Sequence, residues 1–454
     1  MLAAIAIVAL GALVIATARV LGLLRFRGTV TPIALFLVFE LLVTWPSLIG
    51  GSRDSAEIGL SLLLGALAVV PLLVGYTLAR SLSPSIPEAF HTRPRSLNQR
   101  DRIQLCALLA VAVLVSFILY RGIPPVWRTI TELGISDSGR AELSIQRKLL
   151  TKGANFGTAE YRGQGLLSVI QLCTWVLVAA RLGLLTAGVL RRSTIFVILL
   201  LGSLLVGGVG ERASIVLVVA AFTIARIGSS GLGAGRAARR YAPILVVVLI
   251  AVGSFSGQAI GISSPADYAG RLASRLFLGN GTNTVDIIEY RHSGELQAAK
   301  GSIVLEQVRA ALPGVSKNAV PFSNRLARVQ GSRSQTTYST PTNLGLMYAD
   351  WGWLGVHALY FALGAAFAVL ERLLRRAQRT SEGFGLASGV AIALWAGYTS
   401  LTGITGCMVN LAVTVSLFGA TRLGASLLSR DAQLSPSFAG PPRQRAGPAR
   451  RTVD

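Results

Sequence analysis

The stretch Thr342–Leu370 reads TNLGLMYADWGWLGVHALYFALGAAFAVL and decides the fold class. It holds no lysine or arginine and carries a single acid, Asp350. A helix needs about 20 apolar residues to cross the hydrocarbon core of a bilayer, so this run predicts a membrane span. Ten further apolar runs accompany it, at about 2–24, 31–49, 57–79, 103–120, 166–187, 193–209, 213–227, 241–260, 384–400 and 407–428. The expected fold is all-α: a polytopic membrane protein with about 11 transmembrane helices over residues 1–429. Residues 430–454, rich in proline and arginine, read as a disordered basic tail.

Composition agrees. Of 454 residues, 52% are hydrophobic and 14% charged, with a mean hydropathy of +0.59. Soluble domains carry about a quarter charged residues, so a water-soluble enzyme is excluded, as is a disordered chain. Cys106, Cys173 and Cys407 lie singly inside apolar runs and read as small buried hydrophobes rather than disulfide or metal ligands. His91, His292 and His357 have no zinc spacing. No metal and no cofactor is expected.

The net charge of +23 comes from 43 basic and 20 acidic residues, and all but four of the basic ones are arginine. Most sit in short loops at span ends: Arg25 and Arg27, the 80–102 loop, Arg191 and Arg192, Arg236, Arg239 and Arg240, and Arg372, Arg375, Arg376 and Arg379. The positive-inside rule makes that side cytoplasmic, so nucleic acid is not the expected partner. The N-terminus is then outside and the C-terminus inside the cytoplasmic membrane. Two long loops, 121–165 and 261–341, fall on the outer side. They carry seven basic against four acidic residues and nine against five. Two accounts fit these charges: a surface for anionic headgroups or pyrophosphate, or a solvated basic face near anionic lipid. No inverted repeat of the transporter kind is visible.

Candidate functional residues cluster on the outer side. Gly210-Glu211-Arg212 joins two spans with almost no loop, which places a charged pair at membrane level. If 267–290 is helical, Arg271 and Arg275 share one face, and Asp286, Glu289 and Tyr290 another. Arg291 and His292 follow. Cations for a phosphate and a histidine or acid as general base fit this pattern, as does an amphipathic surface helix. Gly301–Gln307 and its flanks read as a helix on the membrane surface. Tyr338 and Tyr348 add hydroxyls, and Asp350 and His357, seven apart, are expected on one helical face. Trp351 and Trp353 read as interfacial anchors. Glu40 and Arg181 are embedded charges that either pair with one another or line a cavity. Gly253, Gly257 and Gly261 have helix-packing spacing.

This layout resembles the Wzy-type O-antigen and oligosaccharide repeat-unit polymerases. The likeness lies in the spans, the two long outer loops, the Glu211-Arg212 turn, and the Pro341-Thr342, Gly345, Tyr348, Gly352-Trp353-Leu354-Gly355-Val356 pattern entering a late helix. The resemblance implies a GT-C-like, metal-independent membrane glycosyltransferase. Its substrate would be a polyprenyl-pyrophosphate-linked oligosaccharide, its setting the lipid bilayer, and its partners a chain-length regulator and a flippase. The resemblance also implies that Arg212, Arg271, Arg275 and Arg291 bind the pyrophosphate. Glu211, Tyr290, Tyr338 and Tyr348 would line the substrate. Glu289, His292 and Asp350 would be the candidate bases, in no order. Arg128 and Gly139 match the family's arginine–glycine spacing. A ligase of the same architecture and a lipid-linked oligosaccharide flippase are the alternatives.

Overall fold

The computed structural model describes residues 31–46, 48, 55–82, 99–120, 164–185, 190–209, 212–229, 280–311, 322–331, 341–380 and 383–434, with a few isolated positions besides. Almost all of them are helical, and no strand occurs among them. The first described helix, α1 (Pro32–Phe39), starts where Thr31 accepts the Ala34 N–H at 3.3 Å and Pro32 supplies the first helical residue. Both are favoured at helix N-termini. It runs on into a π-helical turn at Glu40–Thr44.

Then come α2 (Ser55–Ser81), α3 (Gln99–Tyr120), α4 (Gln164–Gly183), α5 (Arg192–Val206) and α6 (Arg212–Ser229). Among the described residues of the expected outer loop 261–341 lie helices α7 (Asn280–His292), α8 (Ser302–Ala311) and α9 (Phe322–Val329). The chain ends in α10 (Asn343–Thr380) and α11 (Gly383–Leu434).

Four helical stretches among the described residues are long and apolar enough to cross a membrane: Gln99–Tyr120, Leu166–Gly183, Asn343–Leu373 and Gly406–Leu428. Leu67–Ser81, Ser193–Val206 and Ser214–Ile227 are apolar but shorter. The expected spans at 2–24 and 241–260 lie outside the described residues, as do Gly253, Gly257, Gly261, Arg128 and Gly139. Large apolar side chains point outward along these helices, among them Phe117, Val197, Val369 and Leu423. A surface so apolar fits lipid rather than water. Cys106 belongs to this outward face and is exposed, against expectation, whereas Cys173 and Cys407 are buried.

The run α11 is not one straight rod. Trp395 Nε1 donates to Thr414 Oγ1 at 2.9 Å, although nineteen residues of straight helix would separate them by about 28 Å. The two legs therefore lie antiparallel, in keeping with two expected spans at 384–400 and 407–428. Helix continues to Leu434, five residues into the expected tail, and 435–454 lie outside the described residues.

Two apolar cores result. One joins α3, α4, α5, α6 and α11, with Trp175, Leu177, Leu217 and Trp395 fully or nearly fully buried. Here α3 and α4 run antiparallel: Gln171 donates to Ser116 at one end and Arg181 to Asp101 at the other, each at 2.7 Å. Arg181 therefore does not pair with Glu40, contrary to one expectation. Instead the Tyr360 hydroxyl donates to Glu40 at 3.2 Å. Helix α3 carries an acid in its first turn, Asp101, next to the last turn of α4, and that leaves Arg181 a nearer partner.

The second core joins α1, α2 and α10 with helices α7, α8 and α9. At its centre α2 and α10 touch backbone to backbone. A methyl group on Gly75 would lie 2.1 Å from the Phe361 carbonyl oxygen, and one on Gly364 2.0 Å from that of Leu72. Such approach through small residues is how helices associate in lipid, where apolar burial gives little drive. A buried hydrogen bond from Tyr76 to Glu371 ties the same two helices further along.

Candidate functional site

Helices α7, α8 and α9 meet the apolar core where α10 breaks. Gly352 has φ 65° and ψ −153°, a conformation open to glycine but not to residues with a Cβ. The break frees the carbonyls of the preceding turn, which would otherwise bond along the helix. Each finds a donor from α7 or from the segment that follows it. Arg291 Nη1 donates to the Tyr348 and Ala349 carbonyls at 2.7 and 3.0 Å. The Ala299 and Lys300 N–H groups donate to the Ala349 and Asp350 carbonyls at 3.2 and 2.9 Å. The guanidinium also lies 5.4 Å from the centre of the Tyr348 ring, a cation–π distance.

Asp350 itself is fully buried. Its Oδ1 accepts the N–H of Gly301 at 2.9 Å and of Ile303 at 3.2 Å, and its Oδ2 that of Val304 at 3.0 Å. It thus serves as the N-terminal cap of α8, placing a carboxylate at the positive end of the helix. Reaching it requires a tight turn: Lys300 and Gly301 both have positive φ, at 49° and 89°. The Trp351 indole covers Gly301, and a methyl group there would sit 2.6 Å from it. The break at Gly352 also overturns the expected common face of Asp350 and His357. Asp350 points into the α8 cap, whereas His357 Nδ1 bonds the Trp353 carbonyl at 2.7 Å.

Midway along α8, Glu306 accepts the Phe322 N–H at 3.1 Å and pairs with Arg325 at 2.8 Å. The expected helix over Gly301–Gln307 is therefore present, as α8. On α7 the expected shared face divides: Asp286 is buried, Tyr290 half-buried against the core, and Glu289 and His292 exposed. A seam of polar contacts joins α7 to the start of α10, where Thr284 Oγ1 and Thr342 Oγ1 lie 2.9 Å apart.

Sequence-expected residues from two separate stretches thus come together here: Arg291 and Tyr290 from α7, Tyr348 and Asp350 from α10. Trp353, read as an interfacial anchor, packs edge-on against Tyr348 at 5.9 Å between ring centres, while Trp351 is more than half exposed. Glu211, Arg271, Arg275 and Tyr338 lie outside the described residues. Arg212 is the first residue of α6, and its side chain lies outside them too. Gly301, Lys300 and Thr284 are the members that sequence reading passed over. Their roles depend on backbone angles and on contacts across 49 and 58 residues. Among the described residues no group of His, Cys, Asp or Glu is placed to hold a metal ion.

Compared with known proteins, the chain matches no family model, no curated protein and no solved structure.

Proposed function

We propose that the chain polymerises polyprenyl-pyrophosphate-linked oligosaccharide repeat units at the outer face of the cytoplasmic membrane, as a metal-independent glycosyltransferase of GT-C-like architecture. One observation carries the proposal. Arg291 is held half-buried at the break in α10, with Nη1 committed to two carbonyls and no described residue taking the Nε or Nη2 protons. A fixed cation with spare donors beside the membrane-entering helix suits a leaving pyrophosphate.

In the reaction, an acceptor hydroxyl on the incoming repeat unit attacks the anomeric carbon of the growing glycan. The bond from that carbon to the pyrophosphate breaks, and the phosphate oxygen keeps the electron pair. Negative charge builds there, and preorganised cations such as Arg291, joined by Arg212, Arg271 and Arg275, stabilise it. A base removes the hydroxyl proton. Asp350, occupied by three N–H groups, is set aside as that base. Glu289 and His292, exposed in the last turns of α7 beside Arg291, take its place. The apolar helices that hold α10 keep this chemistry at the bilayer surface, where the lipid carrier lies, with the N-terminus outside and the C-terminus in the cytoplasm.

The test is a polymerisation assay of purified protein with a lipid-linked repeat unit. A ladder of lengthening products supports the proposal, and Arg291→Ala should abolish it in protein that remains folded. Transfer of a single finished glycan to a different acceptor would point to a ligase, and movement of the lipid across vesicles without transfer to a flippase.

A further inference from the structure

The polar seam between α7 and α10 plays no part in holding Arg291 or capping α8. The Thr342 N–H donates to Thr284 Oγ1 at 3.0 Å, and the Gly345 N–H to Thr342 Oγ1 at 3.4 Å. The helices approach closely there, since a methyl group on Gly345 would lie 2.8 Å from Thr284 Oγ1. Nearby on α7, Asp286 accepts from Gln330 Nε2, which also donates to Asn283 Oδ1 at 3.1 Å. Asn283 and Gln330 are half-buried and form the accessible edge of this seam. Beside Thr342, Asn343 opens α10 and is fully buried, yet neither its Oδ1 nor its Nδ2 has a hydrogen-bond partner. Buried amides are almost always paired, so one left unpaired calls for a group from outside the chain.

The chemistry of the seam narrows what that group is. Asn343 offers one acceptor oxygen and two donor hydrogens, and the threonine hydroxyls both donate and accept. Among the described residues the side chains of the seam include no cation that would draw an anion. A neutral, hydroxyl-rich ligand fits. Seven residues along α7, about 10 Å, stands Arg291, where an anion fits. The two helices run side by side in the same direction between these points, because Thr284 meets Thr342 and Arg291 meets Tyr348.

Resting on the polymerase proposal, we infer that the seam is a sugar subsite. Asn343 hydrogen-bonds hydroxyl groups of a ring in the lipid-linked substrate whose pyrophosphate lies at Arg291. The substrate then lies along the α7–α10 seam, anion at one end and sugar at the other. Asn343 is a specificity residue and takes no part in bond breaking.

The experiment measures binding of two probes to the full-length protein in detergent: a lipid-linked repeat unit, and polyprenyl pyrophosphate without sugar. Asn343→Leu should weaken the sugar-bearing probe about tenfold, the loss expected for one or two hydrogen bonds, and leave the sugar-free probe unchanged. Thermal stability should not fall, because the leucine removes an unpaired polar group. Asn343→Ser, smaller and still polar, should give an intermediate loss. Equal affinity of wild type and both variants for the sugar-bearing probe would overturn the inference, leaving the amide to bind water alone. Equal weakening of both probes would overturn it in favour of a structural role. If both variants misfold, hydrogen exchange on the wild type decides: amides of 282–286 and 343–345 should slow with the sugar-bearing probe and not with the other, and identical exchange with both would reject the subsite. A wild type that shows the Asn343-dependent preference but builds no ladder upholds the subsite and rejects the polymerase. A ladder with no dependence on Asn343 does the reverse.

Discussion

The Asp350 carboxylate accepts the Gly301 N–H at 2.9 Å and so ties the short helix α8 to the long apolar helix α10 across 49 residues of chain. Two more N–H groups of the first turn of α8 share the same carboxylate. An intramembrane or interfacial acid is a functional candidate by default, but this one has a complete structural occupation. Its placement makes α8 and the break at Gly352 one unit, and Arg291 is braced by that unit.

Asp350→Asn keeps one acceptor oxygen and the shape of the side chain, so it should retain most activity. Asp350→Ala leaves the buried start of α8 uncapped and should lower stability by about 1–3 kcal/mol. Thermal unfolding in detergent beside the polymerisation assay checks both. Loss of all activity in a stable Asp350→Asn protein would restore Asp350 as the base.

Glu289 and His292 are exposed, and neither holds the core, so their replacement separates chemistry from folding. Loss of a general base typically costs 10²–10⁴-fold in rate. One of Glu289→Gln and His292→Asn should fall in that range with melting temperature unchanged. Wild-type turnover in both single variants and in the double variant would remove α7 from the chemistry.

Gly75 and Gly364 let α2 and α10 touch along their backbones. Gly364→Ala would place a methyl group in van der Waals conflict with the Leu72 carbonyl, which belongs to backbone and cannot rotate away. Folded yield should fall sharply. Gly419→Ala, with open space around the glycine, should be neutral. Size-exclusion profiles of the two variants give the comparison, and equal yields would show that the α2–α10 contact is looser than described.

Arg181 and Asp101 form a buried ion pair at 2.7 Å between α3 and α4. Asp101→Leu alone takes the paired carboxylate from the buried guanidinium and should cost about 3–5 kcal/mol, whereas Asp101→Leu with Arg181→Met should recover most of it. Unfolding midpoints of the single and double variants measure the difference. An equally unstable double variant would mean that the pair itself, rather than the charge left behind, supplies the stability.

Much was legible in the residues themselves. Apolar runs of membrane length identify the helices, because lipid leaves the backbone no partner except its own carbonyls. The α11 hairpin shows this: 384–400 and 407–428 read as two spans, and the Trp395–Thr414 bond brings them side by side. The Tyr348–Gly352 stretch was recognisable as special because an acid and a tyrosine hydroxyl interrupt an apolar run there. Arg291 and Glu289 were recognisable by the charge pattern of their own stretch, with nothing in the sequence to join Arg291 to Tyr348, 57 residues on.

What sequence could not decide is which groups meet. Helical periodicity assigned Asp350 and His357 to one face, and a single glycine with positive φ undid that by breaking the helix between them. Charge alone left Glu40 and Arg181 as possible partners, and the packing of α3 on α4 gave Arg181 to Asp101 instead. Nothing in the sequence marks Asn343, whose burial leaves its amide without a partner. Local pattern determines where helices form, since their hydrogen bonds close within a few residues. The choice of partner for a buried charge or amide is made by tertiary packing, which brings together groups from distant parts of the chain.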